Sequence, residues 1–150
     1  MIRSRLILLV EDNPDDAELT LRTFEDSKTL SEIVVAPDGE QALDYLFATG
    51  TYRNRDPEIM PDVVLLDLNL PKVDGLGVLQ RLRADSRTRQ LPVVVLTSST
   101  EETDIIRSYS LGANSFVQKP VDFVQFLNAA QQLGLYWLGL NKPPPATRRT

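Results

Sequence analysis

Five short apolar runs punctuate the chain, and between them hydrophobic residues recur at steps of three and four. A short apolar run bounded by polar breaks reads as a strand buried on both faces, whereas the three- and four-residue steps read as helices with one buried stripe. Strands are expected near Leu6–Val10, Glu32–Ala36, Val63–Leu66, Pro92–Leu96 and Ser115–Gln118. The first helix should begin at Asn13-Pro14, a cap followed by a residue whose fixed φ suits the first helical position, with Ala17, Leu21 and Phe24 inward. Asp15, Asp16 and Glu18 in its first turn suit the helix dipole. A second helix buries Ala42, Leu43, Leu46 and Phe47, and a third follows Asp74-Gly75 with Leu76, Leu79 and Leu82 inward. A fourth uses Ile105, Ile106 and Tyr109 and stops at Gly112. The last carries Phe123, Phe126, Leu127, Ala130, Leu133 and Trp137 on one stripe that runs past the sheet edge and offers a partner surface.

Strands alternating with helices imply a parallel sheet with crossover connections. Right-handed crossovers with a reversal after the second strand give a doubly wound α/β fold of strand order 2-1-3-4-5, with its switch point between the first and third strands. Residues 1–140 are expected to form one domain and residues 141–150 an extended or disordered tail, because three consecutive prolines open it. The loop Gly50–Pro61 is long for a helix-to-strand connection, which marks either a functional or mobile segment or a tolerated insertion.

Charge placement changes the picture from fold to chemistry. Asp67 closes the run Val63–Leu66, Glu11 and Asp12 follow the first strand, and Lys119-Pro120 follows the fifth. A charge beside a strand covered on both faces belongs at the carboxyl end, where the crevice of an open α/β sheet meets solvent. Asp12 and Asp67 should face each other across the switch point, and two carboxylates so close either raise a pKa or recruit a divalent cation. Oxygen ligands alone favour Mg²⁺ or Mn²⁺ over zinc. Such a cation would neutralise an incoming phosphoryl group and leave Asp67 as a carboxylate nucleophile, with the Thr97 hydroxyl and the Lys119 ammonium as donors to the phosphoryl oxygens. Pro120 offers a cis bond that would aim Lys119, although trans is the commoner state.

Taken singly, these features have plainer readings. Glu11-Asp12 makes an ordinary capping turn, Lys119 a surface lysine, Asp74-Gly75 a turn, and Ser98 and Ser99 form a capping box with Glu101 and Glu102. The joint pattern, with Asp67 lacking any local cap, favours the site.

Composition narrows the function classes. With 150 residues, 42% of them hydrophobic, the chain can bury roughly two-thirds of its unfolded surface in one core. A net charge of −5, with Lys142, Arg148 and Arg149 clustered in the tail, argues against a nucleic-acid surface. No run approaches the roughly 18 apolar residues of a membrane span, so a cytoplasmic location is expected. The absence of cysteine removes disulfides and thiolates, and the absence of histidine removes the usual general base and nitrogen ligand.

Glu11-Asp12, Asp67 within "DLNLPKVDG", Thr97 and Lys119-Pro120, in this order, resemble the receiver domain of two-component response regulators. The resemblance covers roughly residues 5–140 and implies the flavodoxin-like (βα)5 fold. It implies Asp67 as phosphoacceptor, Asp12 and Asp67 as direct Mg²⁺ ligands, Asn69 as a ligand through its backbone carbonyl and Glu11 as an outer-shell ligand. Thr97, Ser98 and Lys119 would bind the phosphoryl group, and Thr97 with Phe116 would switch. The donor would be the phosphohistidine of a cytosolic sensor kinase docked near the first helix, with Asp15 and Asp16 at the rim. Output would pass through the fourth helix, fifth strand and fifth helix to a downstream protein or phosphotransfer partner. The long loop, "SLGANSFVQKPVDF" and "LGLYWLGLNKPPP" further resemble regulators that partner phytochrome-type kinases, and a homodimer through Tyr136 and Trp137 is expected. The rival readings are a phosphatase with an aspartyl nucleophile, which would want a carboxylate where Asn69 stands, and a binding module that is never phosphorylated.

Overall fold

A computed structural model describes residues 5–25, 31–119 and 123–144. The element order is β1 (Arg5–Val10), α1 (Pro14–Glu25), β2 (Ser31–Ala36), α2 (Gly39–Phe47), a short 3-10 turn (Gly50–Tyr52), β3 (Val63–Leu66), α3 (Gly75–Ala84), β4 (Val93–Thr97), α4 (Glu102–Ser110), β5 (Ser115–Gln118) and α5 (Phe123–Gly134). A π-helical segment, Leu135–Leu140, continues α5. The five strands are all parallel in the order β2-β1-β3-β4-β5.

Because successive side chains of a strand point to opposite faces, the sheet divides the core in two. Leu8, Val10, Val64, Leu66, Val93 and Val95 pack against α2 and α3. Ile7, Leu9, Val63, Leu65 and Val94 face α1 and the C-terminal segment, where Ala17, Phe24 and Leu138 close the layer. Gly134 permits that closure: a Cβ there would lie 2.6 Å from the Phe24 ring.

The helices start where their caps dictate. Asn13 Oδ1 accepts the N–H groups of Asp15 and Asp16 at 2.9 and 3.2 Å, and Asp38 and Asp74 cap α2 and α3 through Gln41 N and Gly77 N. In α3, Val78 is fully buried beside Leu79 and Leu82 while Leu76 is only half-buried. Helix α4 departs from expectation. Ile106 and Tyr109 are 63% and 50% exposed, and Ser108 is fully buried instead, its hydroxyl without a protein partner. An inward Ser108 turns Ile106 and Tyr109 away, so only Ile105 of the three expected residues is half-buried.

The expected capping box is also replaced. The N-cap of α4 is Glu101, with no side-chain cap, and Ser99 instead donates its hydroxyl to Asp104 Oδ2 at 2.6 Å and accepts Glu101 N–H at 3.3 Å. The loop 50–61 is tied down by Arg55, which donates to Tyr45 O at 2.7 Å and Leu46 O at 3.3 Å and stacks 4.2 Å over the Tyr45 ring. These bonds satisfy the C-terminal carbonyls of α2 and make the loop an ordered cover. Trp137 is half-buried and packs on the α1-side core, so the outward face of the C-terminal segment is Leu135, Tyr136 and Leu140, at 64%, 50% and 76% exposure. Pro120 and its peptide bond, the side chains of Phe123, Phe126 and Ala130, and residues 145–150 of the tail lie outside the described residues.

Candidate functional site

Strand register assembles the site. Val10 is level with Leu66, so the next residues, Glu11 and Asp67, emerge abreast on the two central strands. Thr97 is level with Gln118, which puts Lys119 just past the end of β4's neighbour. Backbone bonds continue the ladder beyond each strand: Glu11 N to Ala36 O at 3.0 Å, Asp67 N to Val10 O at 3.0 Å, and Lys119 N to Thr97 O at 2.6 Å. Each charged side chain is therefore held on sheet-like backbone.

The Lys119 ammonium is the centre of the group. It donates to Glu11 Oε1, to Asp67 Oδ2 at 3.0 Å and to Asp16 Oδ2 at 3.1 Å. Lys119, Asp67 and Glu11 are buried, at 8%, 7% and 4% exposure. The free oxygens are held too: Glu11 Oε2 accepts Asn13 N–H, and Asp67 Oδ1 accepts Asn69 N–H, both at 3.2 Å. Gly75 lets α3 start directly against this strand end, since a Cβ there would lie 2.2 Å from Asp67 O.

Asp12 is exposed, and carboxylate oxygens of Glu11, Asp12 and Asp67 all lie within 4.8 Å of one another. An all-oxygen set with one exposed member at an open mouth fits a hard divalent cation, which takes carboxylates and keeps waters. Asn69 is exposed beside it. Burial pushes the Glu11 carboxyl up to about 7, against the opposing pull of its bond to Lys119. Lys119 is held above the usual lysine range: burial opposes its charge, but the Glu11 and Asp67 carboxylates outweigh it.

The remaining expected residues sit around this core. Thr97 is fully buried, its hydroxyl accepting Ser99 N–H at 3.4 Å, and Ser98 is exposed. Phe116 is half-buried against the α2/α3-side core. Asp15 is exposed, as expected of a rim residue, but Asp16 is drawn onto Lys119. That contact is one sequence reasoning missed. Its signal is the four-residue step from Asp16 to Thr20 to Phe24, the latter two buried.

The comparisons with known proteins agree with this geometry. The chain belongs to the response regulator receiver domain family, whose model matches residues 7–131. The bacteriophytochrome response regulator AtBRR is 57% identical, with a TM-score of 0.73 over 94% of this chain and 100% of that one. The phosphorylated cyanobacterial phytochrome response regulator RcpA is 37% identical, with a TM-score of 0.89 over 95% and 99%. The Mn²⁺-bound form of response regulator Rcp1 is 35% identical, with a TM-score of 0.88 over 93% and 99%; by sequence, Rcp1 of Synechocystis is 36% identical over 89% of each chain. The protein is thus a receiver, a phosphoacceptor switch that takes its signal from a sensor kinase, and its acidic cluster suits the divalent metal that receivers bind.

The raised Glu11 value sets a pH dependence. The folded chain takes up the Glu11 proton below about pH 7 and the unfolded chain only near the usual 4.5, so the Lys119-bound carboxylate is the form above that range. Between those limits the folded state binds more protons, so stability falls as pH rises. In chelator, urea unfolding between pH 5 and 8 should show a decline on the order of 1 kcal/mol, discounted for screening at the mouth. Glu11→Gln should flatten it; an identical slope in the variant would contradict the assignment.

Proposed function

We propose that Asp67 is the phosphoacceptor and that Asp12 and Asp67, with the Asn69 carbonyl, hold Mg²⁺, or Mn²⁺ in its place, with Glu11 in its outer shell. The observation that carries this reading is Lys119 bonded to Asp67 at the carboxyl ends of the strands, beside a second and third carboxylate. An Asp67 oxygen attacks phosphorus in line with the donor's phosphorus–nitrogen bond. That bond breaks, its electron pair stays on the imidazole of the kinase histidine, and an acyl phosphate forms. The cation supplies charge neutralisation between the approaching carboxylate and phosphoryl group. Lys119 and Thr97 donate to the phosphoryl oxygens, and the exposed Ser98 is small enough to admit them. The domain catalyses its own transfer and hydrolysis without being an enzyme acting on external substrates. Asn69 stands where a phosphatase would want a general acid, so that reading has no support here.

Movement of Thr97 toward the phosphoryl group would be sensed through Phe116 and read out on α4, β5 and α5, where Ile106 and Tyr109 are already exposed. Likeness to RcpA and AtBRR favours a phytochrome-type sensor histidine kinase as donor in the cytoplasm. The signal unit spans residues 1–140, with 141–150 as a tail.

Incubated with Mg²⁺ and acetyl phosphate, the protein should gain one phosphate by intact mass, and Asp67→Asn should gain none. Labelling of the variant at the wild-type rate would refute the assignment.

The exposed Leu135, Tyr136 and Leu140 form the contact of a homodimer, with Trp137 buttressing Tyr136 edge-to-face at 5.1 Å. Sedimentation velocity should show a concentration-dependent dimer that Leu135→Glu shifts to monomer; a monomer at every concentration, phosphorylated or not, would exclude this contact.

A further inference from the structure

We infer that Asp16 is a positioning residue for phosphotransfer: with Glu11 it anchors the Lys119 ammonium so that its third N–H is aimed at Asp67 and then at the phosphoryl oxygens. This rests on the reading of Asp67 as phosphoacceptor.

An ammonium has three donors, and here all three are engaged, by Glu11 Oε1, Asp16 Oδ2 at 3.1 Å and Asp67 Oδ2 at 3.0 Å. A lysine head on a flexible four-carbon stem is not fixed by one contact. Two contacts to groups on held backbone leave the third donor one direction. Both anchors sit on such backbone. Glu11 is buried and also holds Asn13 N–H, while the Asp16 N–H is bonded to the Asn13 cap and its carbonyl accepts the buried Thr20 hydroxyl at 2.9 Å.

When Asp67 becomes an acyl phosphate, one oxygen joins phosphorus and the carboxylate charge is gone, so the bond to Asp67 is the one Lys119 gives up. The bonds to Glu11 and Asp16 persist, and the freed donor meets the phosphoryl oxygens without reorganisation. Asp16 thus acts within the chemistry of the site, beyond any contact with a docked kinase.

A small donor separates these roles, because acetyl phosphate presents no protein surface. With Mg²⁺ and acetyl phosphate, phosphorus bonds to Asp67 and acetate departs with its electron pair. The rate of mass gain is measured for wild type, Asp16→Ala, Asp16→Asn and Asp16→Glu, and for Asp16→Ala combined with Lys119→Ala. The first two variants should label on the order of 3- to 10-fold more slowly, as expected for a misplaced group. Asp16→Glu should recover part of the rate, and Asp16→Ala should cost nothing further once Lys119 is gone. A wild-type rate in Asp16→Ala, or the same loss without Lys119, would overturn the inference and leave Asp67 in place. Failure of the wild type itself to take label would remove both.

Discussion

One buried ammonium holds the functional end of this fold together. Glu11, Asp67 and Lys119 come from three separate strand ends and Asp16 from the first turn of α1, and Lys119 bonds to all three carboxylates once the strand register has brought them level. Two carboxylates buried side by side without a cation would repel and pay full desolvation. A buried charge left unpaired costs on the order of 3–5 kcal/mol. Lys119 satisfies them while leaving net negative charge at the mouth, where Asp12 is exposed. The arrangement therefore pairs its buried charges within the chain and leaves an acidic mouth that suits a divalent cation.

The sheet is what makes this pairing specific. A one-residue slip in the β1–β3 register would move Glu11 away from Asp67 and exchange the two faces of the strand, which both cores forbid. Gly75 adds a local requirement, because α3 begins so close to the Asp67 carbonyl that no side chain fits. Function thus depends on packing far from any charge.

Most of this architecture was legible because each strand is an apolar run ended by a polar break. Asp67 stood out because a carboxylate closing a buried strand has no plain reading in the sequence, whereas Lys119, a surface lysine taken singly, was placed by the joint pattern. What escaped was set by tertiary context. The pattern of α4 suggested Ile106 and Tyr109 as its buried stripe, but a short helix at the sheet's edge needs little burial, and Ser108 faces in. Trp137 fits the α5 stripe yet packs on the sheet, because the close approach of Gly134 to Phe24 brings the C-terminal segment down onto the core. Ser99 found Asp104 rather than a capping amide. Arg55 ties the long loop after α2 to the fold: its guanidinium closes the helix end that the loop leaves.

The most direct test is a crystal structure of the protein with Mg²⁺ and beryllofluoride, a mimic of the acyl phosphate. The account predicts beryllium bonded to an Asp67 oxygen, the cation on Asp12 and Asp67 with Glu11 in its outer shell, and Lys119 released from Asp67 onto a fluoride while still bonded to Glu11 and Asp16. Lys119 remaining on an unmodified Asp67, with the cation bound, would contradict it.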